Sequence, residues 1–281
     1  MKTTLETSKN GDFYYLSECA HAFIQNQGDK LNSTQFIQYI YNHEFVQNTL
    51  MYFDYQFEKK DLLVTALGHT SFANEFFKLK ISSYEKLEFL GDSILGAFVS
   101  SQIIGKFPNA SEGQLSKLRG ALVNEEVLCE LASVANLEKC ILVGKGELNV
   151  KGMLRSAIMA DVLEATLAAI FLDSSFDRAK KAFNQLIHCY EEEKGIKFFD
   201  LERLNDFDSK TQLQEIIMSI YKTTPVYKAV ELEDKGFRVQ LFINDQKIDE
   251  LDEVSKKKGQ KKLARKILKD KSYIIKGDKT C

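Results

Sequence analysis

The chain has 281 residues, 44% hydrophobic and 28% charged, enough to bury the core of one large domain or two modest ones. A formal net charge of −2 argues against a uniformly basic nucleic-acid binder, and the five scattered cysteines (Cys19, Cys129, Cys140, Cys189 and Cys281) show no two-residue spacing of a zinc knuckle or dithiol redox site. The N-terminus lacks the apolar core of a secretion signal and no uninterrupted apolar run reaches membrane-spanning length, so the expectation is a cytoplasmic protein with reduced thiols and no membrane partner.

Only Pro108 and Pro225 interrupt the chain, and the apolar spacing of its first half is mostly helical. From about Phe13 to Leu50 two helical patterns flank Gly28-Asp29-Lys30-Leu31-Asn32-Ser33, with Ser33 predicted to cap the second. A better-defined globular pattern runs from Tyr52 to about Glu193. Within it, Phe107-Pro108-Asn109-Ala110 ends one helix and Ser111-Glu112-Gly113-Gln114 gives the next a capping box. That helix is predicted to continue through Leu115, Leu118 and Leu122 towards Leu131. A glycine-containing loop, Gly144-Lys145-Gly146-Glu147 to Gly152, lacks the spacing of a phosphate-binding loop. An apolar helix through Asp161 and Glu164 follows, then an amphipathic one from about Asp177 to Glu192.

A polar linker over 195–207 is predicted next. Ser209-Lys210-Thr211-Gln212 reads as a second capping box, opening a helix to about Tyr221. Val226 to Leu232 and Phe237 to Ile243 alternate as strands do, Asn244-Asp245-Gln246-Lys247 is a turn, and a third strand covers Lys247 to Glu253. A basic helix from Lys256 to about Leu268 completes an α-β-β-β-α module.

The chemistry lies in two acid pairs set in apolar helical stretches. Glu88 and Asp92 are four apart and Asp161 and Glu164 three apart, so each pair shares one side of its helix; Glu85 joins the first. Leu87, Leu90, Ile94 and Phe98 fall on the opposite side, suited to a core. Two such helices packed face to face would bring four carboxylates around one point, which is costly unless a cation sits among them. A hard divalent ion on oxygen ligands answers that charge. Glycoside hydrolysis also uses two carboxylates, but a chain without tryptophan lacks the usual aromatic sugar platform; metal-assisted phosphodiester hydrolysis fits better. His21, His43, His69 and His188 show no HExxH or paired-ligand spacing.

Glu85-Lys86-Leu87-Glu88-Phe89-Leu90-Gly91-Asp92-Ser93-Ile94-Leu95 resembles the signature helix of ribonuclease III. The resemblance continues in order through Ala66-Leu67-Gly68-His69-Thr70-Ser71, Phe107-Pro108 with Ser111-Glu112-Gly113, Leu122-Val123-Asn124-Glu125-Glu126, Gly144-Lys145-Gly146-Glu147 and Ile158-Met159-Ala160-Asp161-Val162-Leu163-Glu164-Ala165. It implies an all-α endonuclease domain over 51–194, after a helical extension over 1–50. A small α+β double-stranded-RNA-binding domain over 208–270 and a tail over 271–281 would follow. The family's catalytic and metal-binding acids map onto Glu88, Asp92, Asp161 and Glu164, with Glu85 and Glu112 at secondary acidic positions. The implied activity is a homodimeric, Mg²⁺-dependent cut of double-stranded RNA. It uses two ions per site, with Mn²⁺ as a substitute and no organic cofactor, and leaves 5′-phosphate and 3′-hydroxyl ends with short 3′ overhangs. Its expected substrates are ribosomal RNA precursors and other structured transcripts; the alternative is a catalytically inactive RNA-binding or ribosome-associated protein of the same fold. Thr70 stands where the family usually carries a cation, a departure expected to alter local packing.

A-form RNA is read by shape, 2′-hydroxyls and phosphate spacing. By resemblance, Thr211, Gln214 and Glu215 reach 2′-hydroxyls, while Ser255, Lys256, Lys257 and Lys261 stand at a helix start that favours phosphate. Glu231-Leu232-Glu233-Asp234-Lys235-Gly236 is short and acidic, and lacks the Gly-Pro-x-His loop of many relatives. Glu250, Asp252 and Glu253 precede the lysines, and Gly259 replaces a usual Ala. Binding weaker and more salt-sensitive than that of a typical relative is therefore expected.

Overall fold

The most apolar stretch of the chain forms its central helix. Residues 162–170 are buried without interruption, although Glu164 and Thr166 lie among them. The structure, a computed structural model, describes residues 14–148, 153–199, 201–232 and 236–273. It divides into two compact units, Met1–Phe198 and Phe199–Cys281.

In the first unit the regular elements among the described residues are helices, joined by loops and one isolated bridge between Gly68 and Leu142. The unit runs α1 (Tyr15–Gln27), α2 (Ser33–Tyr41), α3 (Glu44–Met51), α4 (Lys60–Leu67), α5 (Thr70–Glu75), α6 (Glu85–Lys106), α7 (Glu112–Leu122), α8 (Glu125–Val134), α9 (Met153–Asp173) and α10 (Phe176–Lys194). Helices α4, α6, α8 and α10 pack around α9. Helix α6 is, by length and composition, apolar enough to cross a membrane. Here its Leu87, Ile94, Leu95, Phe98, Val99 and Ile103 are buried in the core, with Leu90 only partly so.

Local capping chemistry sets the boundaries. Ser111 accepts from the Gln114 amide at 3.3 Å while Gln114 accepts from the Ser111 amide at 2.8 Å, the expected capping box. Two expectations are corrected. Asn32, not Ser33, caps α2, since its Oδ1 accepts from the Gln35 amide at 2.9 Å. The helix opened by Ser111 stops at Leu122, because Asn124 caps a new one by accepting from the Val127 amide at 3.2 Å. Gly195, at φ +66°, ends α10 in the left-handed conformation that glycine adopts without strain. Gly152 and residues 1–13 lie outside the described residues.

The second unit is α11 (Leu201–Tyr221), an antiparallel sheet in the order β1 (Val226–Glu231), β2 (Phe237–Ile243), β3 (Gln246–Glu253), and α12 (Lys256–Asp270). Asn244 and Asp245, both at positive φ, make the two-residue β2–β3 turn. One side of the sheet is covered by both helices over a core of Leu213, Ile217, Val239, Leu241, Ile243, Leu263, Ala264 and Ile267. Helix α11 starts well before the predicted linker ends. No Pro or Gly interrupts residues 201–208, and Ser209 lies mid-helix with its hydroxyl donating to the Lys261 carbonyl at 3.2 Å instead of capping. Residues 233–235 of the predicted short loop and the tail over 274–281 lie outside the described residues.

Candidate metal centre and nucleic-acid face

Carboxylate oxygens of Glu88, Asp161 and Glu164 all lie within 4.8 Å of one another. Helix α6 supplies Glu88 and α9 supplies the other two, and the two helices meet closely at Gly91. A Cβ built there would stand 2.1 Å from the Glu164 carbonyl oxygen, so only a residue without a side chain allows the approach. Asp161 receives a hydrogen bond from the Tyr84 hydroxyl at 3.1 Å.

Among the described residues no lysine or arginine makes an ion pair with any of the three. Glu164 is only 9% exposed. Burial, followed by the charges of Asp92, Asp161 and Glu88, pushes its carboxyl up to about 8. Glu88 is raised by burial and then by Asp161, Glu85 and Asp92. Asp161 is also raised by burial, against the lowering effect of the Tyr84 bond. Hard oxygen donors, converging and short of positive charge, fit a divalent cation.

Asp92, one turn beyond Glu88, is exposed and stays outside the group of three, although its charge acts on both Glu88 and Glu164. Glu85 is exposed and accepts from the Thr70 hydroxyl at 3.0 Å. Glu112 is exposed in the first turn of α7, and no interaction links it to the cluster among the described residues. Tyr84 and Gly91 were not singled out as site residues from the sequence. A glycine inside an apolar helix was the available signal for the second.

In the second unit Thr211, Gln214 and Glu215 lie on the exposed side of α11, opposite buried Leu213 and Ile217. Ser255 occupies the N-cap of α12 without a side-chain cap bond. Lys256, Lys257 and Lys258 are exposed and Lys261 is half-buried. Acids of β3 engage the following basic residues: Glu253 pairs with Lys262, and Asp249 with Lys266 at 2.7 Å. Arg238 of β2 pairs with Asp252 at 2.7 Å. Lys210 of α11, missed in the sequence, joins the patch; burial, then Lys261 and Lys257, lower its pKa. Gly259 is buried where a Cβ would meet Val239 Cγ2 at 2.6 Å, which accounts for the absent alanine.

Residues 59–189 match the family model described as Ribonuclease-III-like. Ribonuclease 3 of Syntrophobacter fumaroxidans is 38% identical over 233 residues, 80% of this chain and 93% of that protein. Ribonuclease 3 of Borreliella burgdorferi is 38% identical over 218 residues, 76% of this chain and 86% of that protein. A solved nuclease domain of ribonuclease III from Campylobacter jejuni is 37% identical, with a TM-score of 0.48, over 54% of this chain and 99% of that one.

Proposed function

This chain belongs to the ribonuclease III family, and from that premise we propose that it is a Mg²⁺-dependent endoribonuclease that cuts double-stranded RNA. Its products would carry 5′-phosphate and 3′-hydroxyl ends with short 3′ overhangs. Its substrates would be ribosomal RNA precursors and other structured transcripts in the cytoplasm. The observation that carries the reading is the convergence of Glu88, Asp161 and Glu164 at the α6–α9 contact. These residues would hold the metal, with Asp92 adding a fourth carboxylate from the solvent side. A bound divalent ion supplies Lewis-acid activation of water and stabilisation of charge on the reacting phosphodiester.

The protein's own part is to keep the site rigid and electronegative. Tyr84 fixes one oxygen of Asp161, Gly91 sets the helix separation, and the buried flanks of α9 keep Glu164 away from bulk water. The α12 lysines and the outer side of α11 would hold the duplex through phosphates and 2′-hydroxyls. The chain would act as a homodimer in which each subunit cuts one strand; the exposed Phe89 (78%) and Ile104 (59%) leave apolar side chains on the outward side of α6 for a partner to cover.

Purified protein incubated with long duplex RNA and Mg²⁺ should yield short duplexes whose 5′ ends are phosphatase-sensitive, and EDTA should stop the reaction. Duplex binding without cutting would favour the inactive RNA-binding alternative. Sedimentation as a stable monomer at working concentration would remove the two-strand model.

A further inference from the structure

Three consecutive backbone N–H groups ahead of α9 are each captured by a side chain. Val143 N donates to Ser17 Oγ at 2.6 Å, Gly144 N to Ser71 Oγ at 2.9 Å, and Lys145 N to Glu75 Oε2 at 2.8 Å. Helix α1 also holds the Val143 carbonyl, which accepts from Ser17 Oγ at 3.1 Å and from His21 Nε2 at 2.9 Å. Ser17 and His21 are both buried. A polar side chain is costly in such a place unless it is bonded. Ser17 directs its polarity at the Val143 backbone, and His21 divides its own between the Val143 carbonyl and, with Nδ1 3.7 Å from Oε1, the Glu75 carboxylate that holds Lys145 N.

The clasped segment leads towards the metal cluster. Leu142 lies beside Gly68, with His69 N donating to Leu142 O at 2.8 Å and Leu142 N to Leu67 O at 2.8 Å. The Ser71 hydroxyl, accepting from Gly144, bonds His69 Nδ1 at 2.8 Å. The Ser71 amide also points to that nitrogen at 3.2 Å, so Nδ1 is an acceptor and the ring of His69 has a fixed orientation. That ring stands 5.8 Å from the ring of Tyr84, centroid to centroid, and the Tyr84 hydroxyl donates to Asp161.

We propose that Ser17 and His21 of the N-terminal helix are positioning residues for the reaction. By fixing the 143–145 segment they seat Ser71 and His69, and through His69 and Tyr84 they hold the Asp161 carboxylate in the metal cluster. This assignment rests on the nuclease reading and extends it to a helix that contributes no ligand. The role asked of Ser17 and His21 is that of outer residues that orient a ligand, whose loss commonly costs ten- to a hundredfold in metal affinity or activity.

The test uses the full chain and four measurements: single-turnover rate at saturating duplex RNA, duplex affinity, Mn²⁺ affinity without RNA by electron paramagnetic resonance, and thermal midpoint. His21→Leu keeps bulk and removes the donor to Val143. It should lower rate and Mn²⁺ affinity about tenfold while leaving duplex affinity unchanged. His21→Gln, whose amide restores a donor, should return both towards wild type. Ile40→Ala, at a buried position of α2 without a bond to the segment, should lower the thermal midpoint but spare rate and Mn²⁺ affinity. If His21→Leu does not fold, Ser17→Ala reads the same quantities. Unchanged rate and Mn²⁺ affinity in His21→Leu, no gain in His21→Gln, or an equal loss in Ile40→Ala would overturn the positioning role alone. A wild-type protein that does not cut duplex RNA would overturn the nuclease reading and this inference with it.

Discussion

Gly91 and Glu164 meet backbone to backbone: a methyl group on the Gly91 Cα would stand 2.1 Å from the Glu164 carbonyl oxygen. The contact brings α6 and α9 together at the point where Glu88 and Glu164 face each other. Gly91→Ala should therefore force the helices apart, costing about 1–3 kcal/mol of stability as overpacking does. It should also weaken Mn²⁺ binding well beyond what the stability loss explains. Calorimetric titration beside thermal melts checks this. Wild-type metal affinity in a destabilised Gly91→Ala protein would show that the contact does not set the site.

Tyr84 donates to the charged form of Asp161 and so holds its pKa down against burial. Tyr84→Phe removes that donor without removing bulk. Asp161 should then titrate at a higher pH, the acid limb of the cleavage profile should move upwards, and metal affinity should fall about ten- to a hundredfold. A pH–rate profile at subsaturating Mg²⁺ identical to that of wild type would contradict the assignment.

The raised carboxyls also predict how the metal-free protein responds to pH. Glu164 ordinarily titrates at 4.5 and in the fold is pushed up to about 8. Between those values the folded state binds more protons than the unfolded state. Stability is therefore fully present below about 4.5 and is lost as pH rises through about 8. Glu88 and Asp161 shift in the same direction. In EDTA the thermal midpoint should fall over this window, Glu164→Gln should flatten the fall, and Mg²⁺ should raise the midpoint more at pH 8 than at pH 5. A midpoint in EDTA that rises across the window would contradict it.

In the second unit the ion pairs divide the basic residues. Lys262 and Lys266 are engaged by Glu253 and Asp249, whereas Lys256 and Lys257 are exposed at the start of α12. Lys257→Ala should weaken duplex binding uniformly across sequences and reduce the salt slope by about one. Lys266→Ala should change binding far less, and Glu253→Gln should strengthen it by releasing Lys262. Binding isotherms at several salt concentrations separate these outcomes; an equal loss from Lys257→Ala and Lys266→Ala would show that the pairs do not withhold charge.

The helices and strands were legible wherever a period or a capping residue specifies them. The strand Phe237–Ile243 and the capping box at Ser111 appear as read. The misreadings share a cause, which is that a side chain's hydrogen bond has several possible partners. Asn32 outcompeted Ser33, Asn124 divided one apolar pattern into two helices, and Ser209 turned to a carbonyl of α12. The acid spacing placed each pair on one side of its helix, but not which oxygens converge. The structure groups three of the four, while Asp92 remains exposed one turn beyond Glu88. Tyr84, Lys210 and the Ser17–His21 clasp act on segments far away in sequence, and no local pattern records such partners.

Cleavage is proposed to depend on a metal held by Glu88, Asp161 and Glu164. The most direct measurement compares wild type with Glu164→Gln on long duplex RNA in Mg²⁺, following cleavage and duplex binding together. Glu164→Gln should bind the duplex as wild type does and should not cut it. Cutting by Glu164→Gln at the wild-type rate, or by wild type in EDTA, would contradict that dependence.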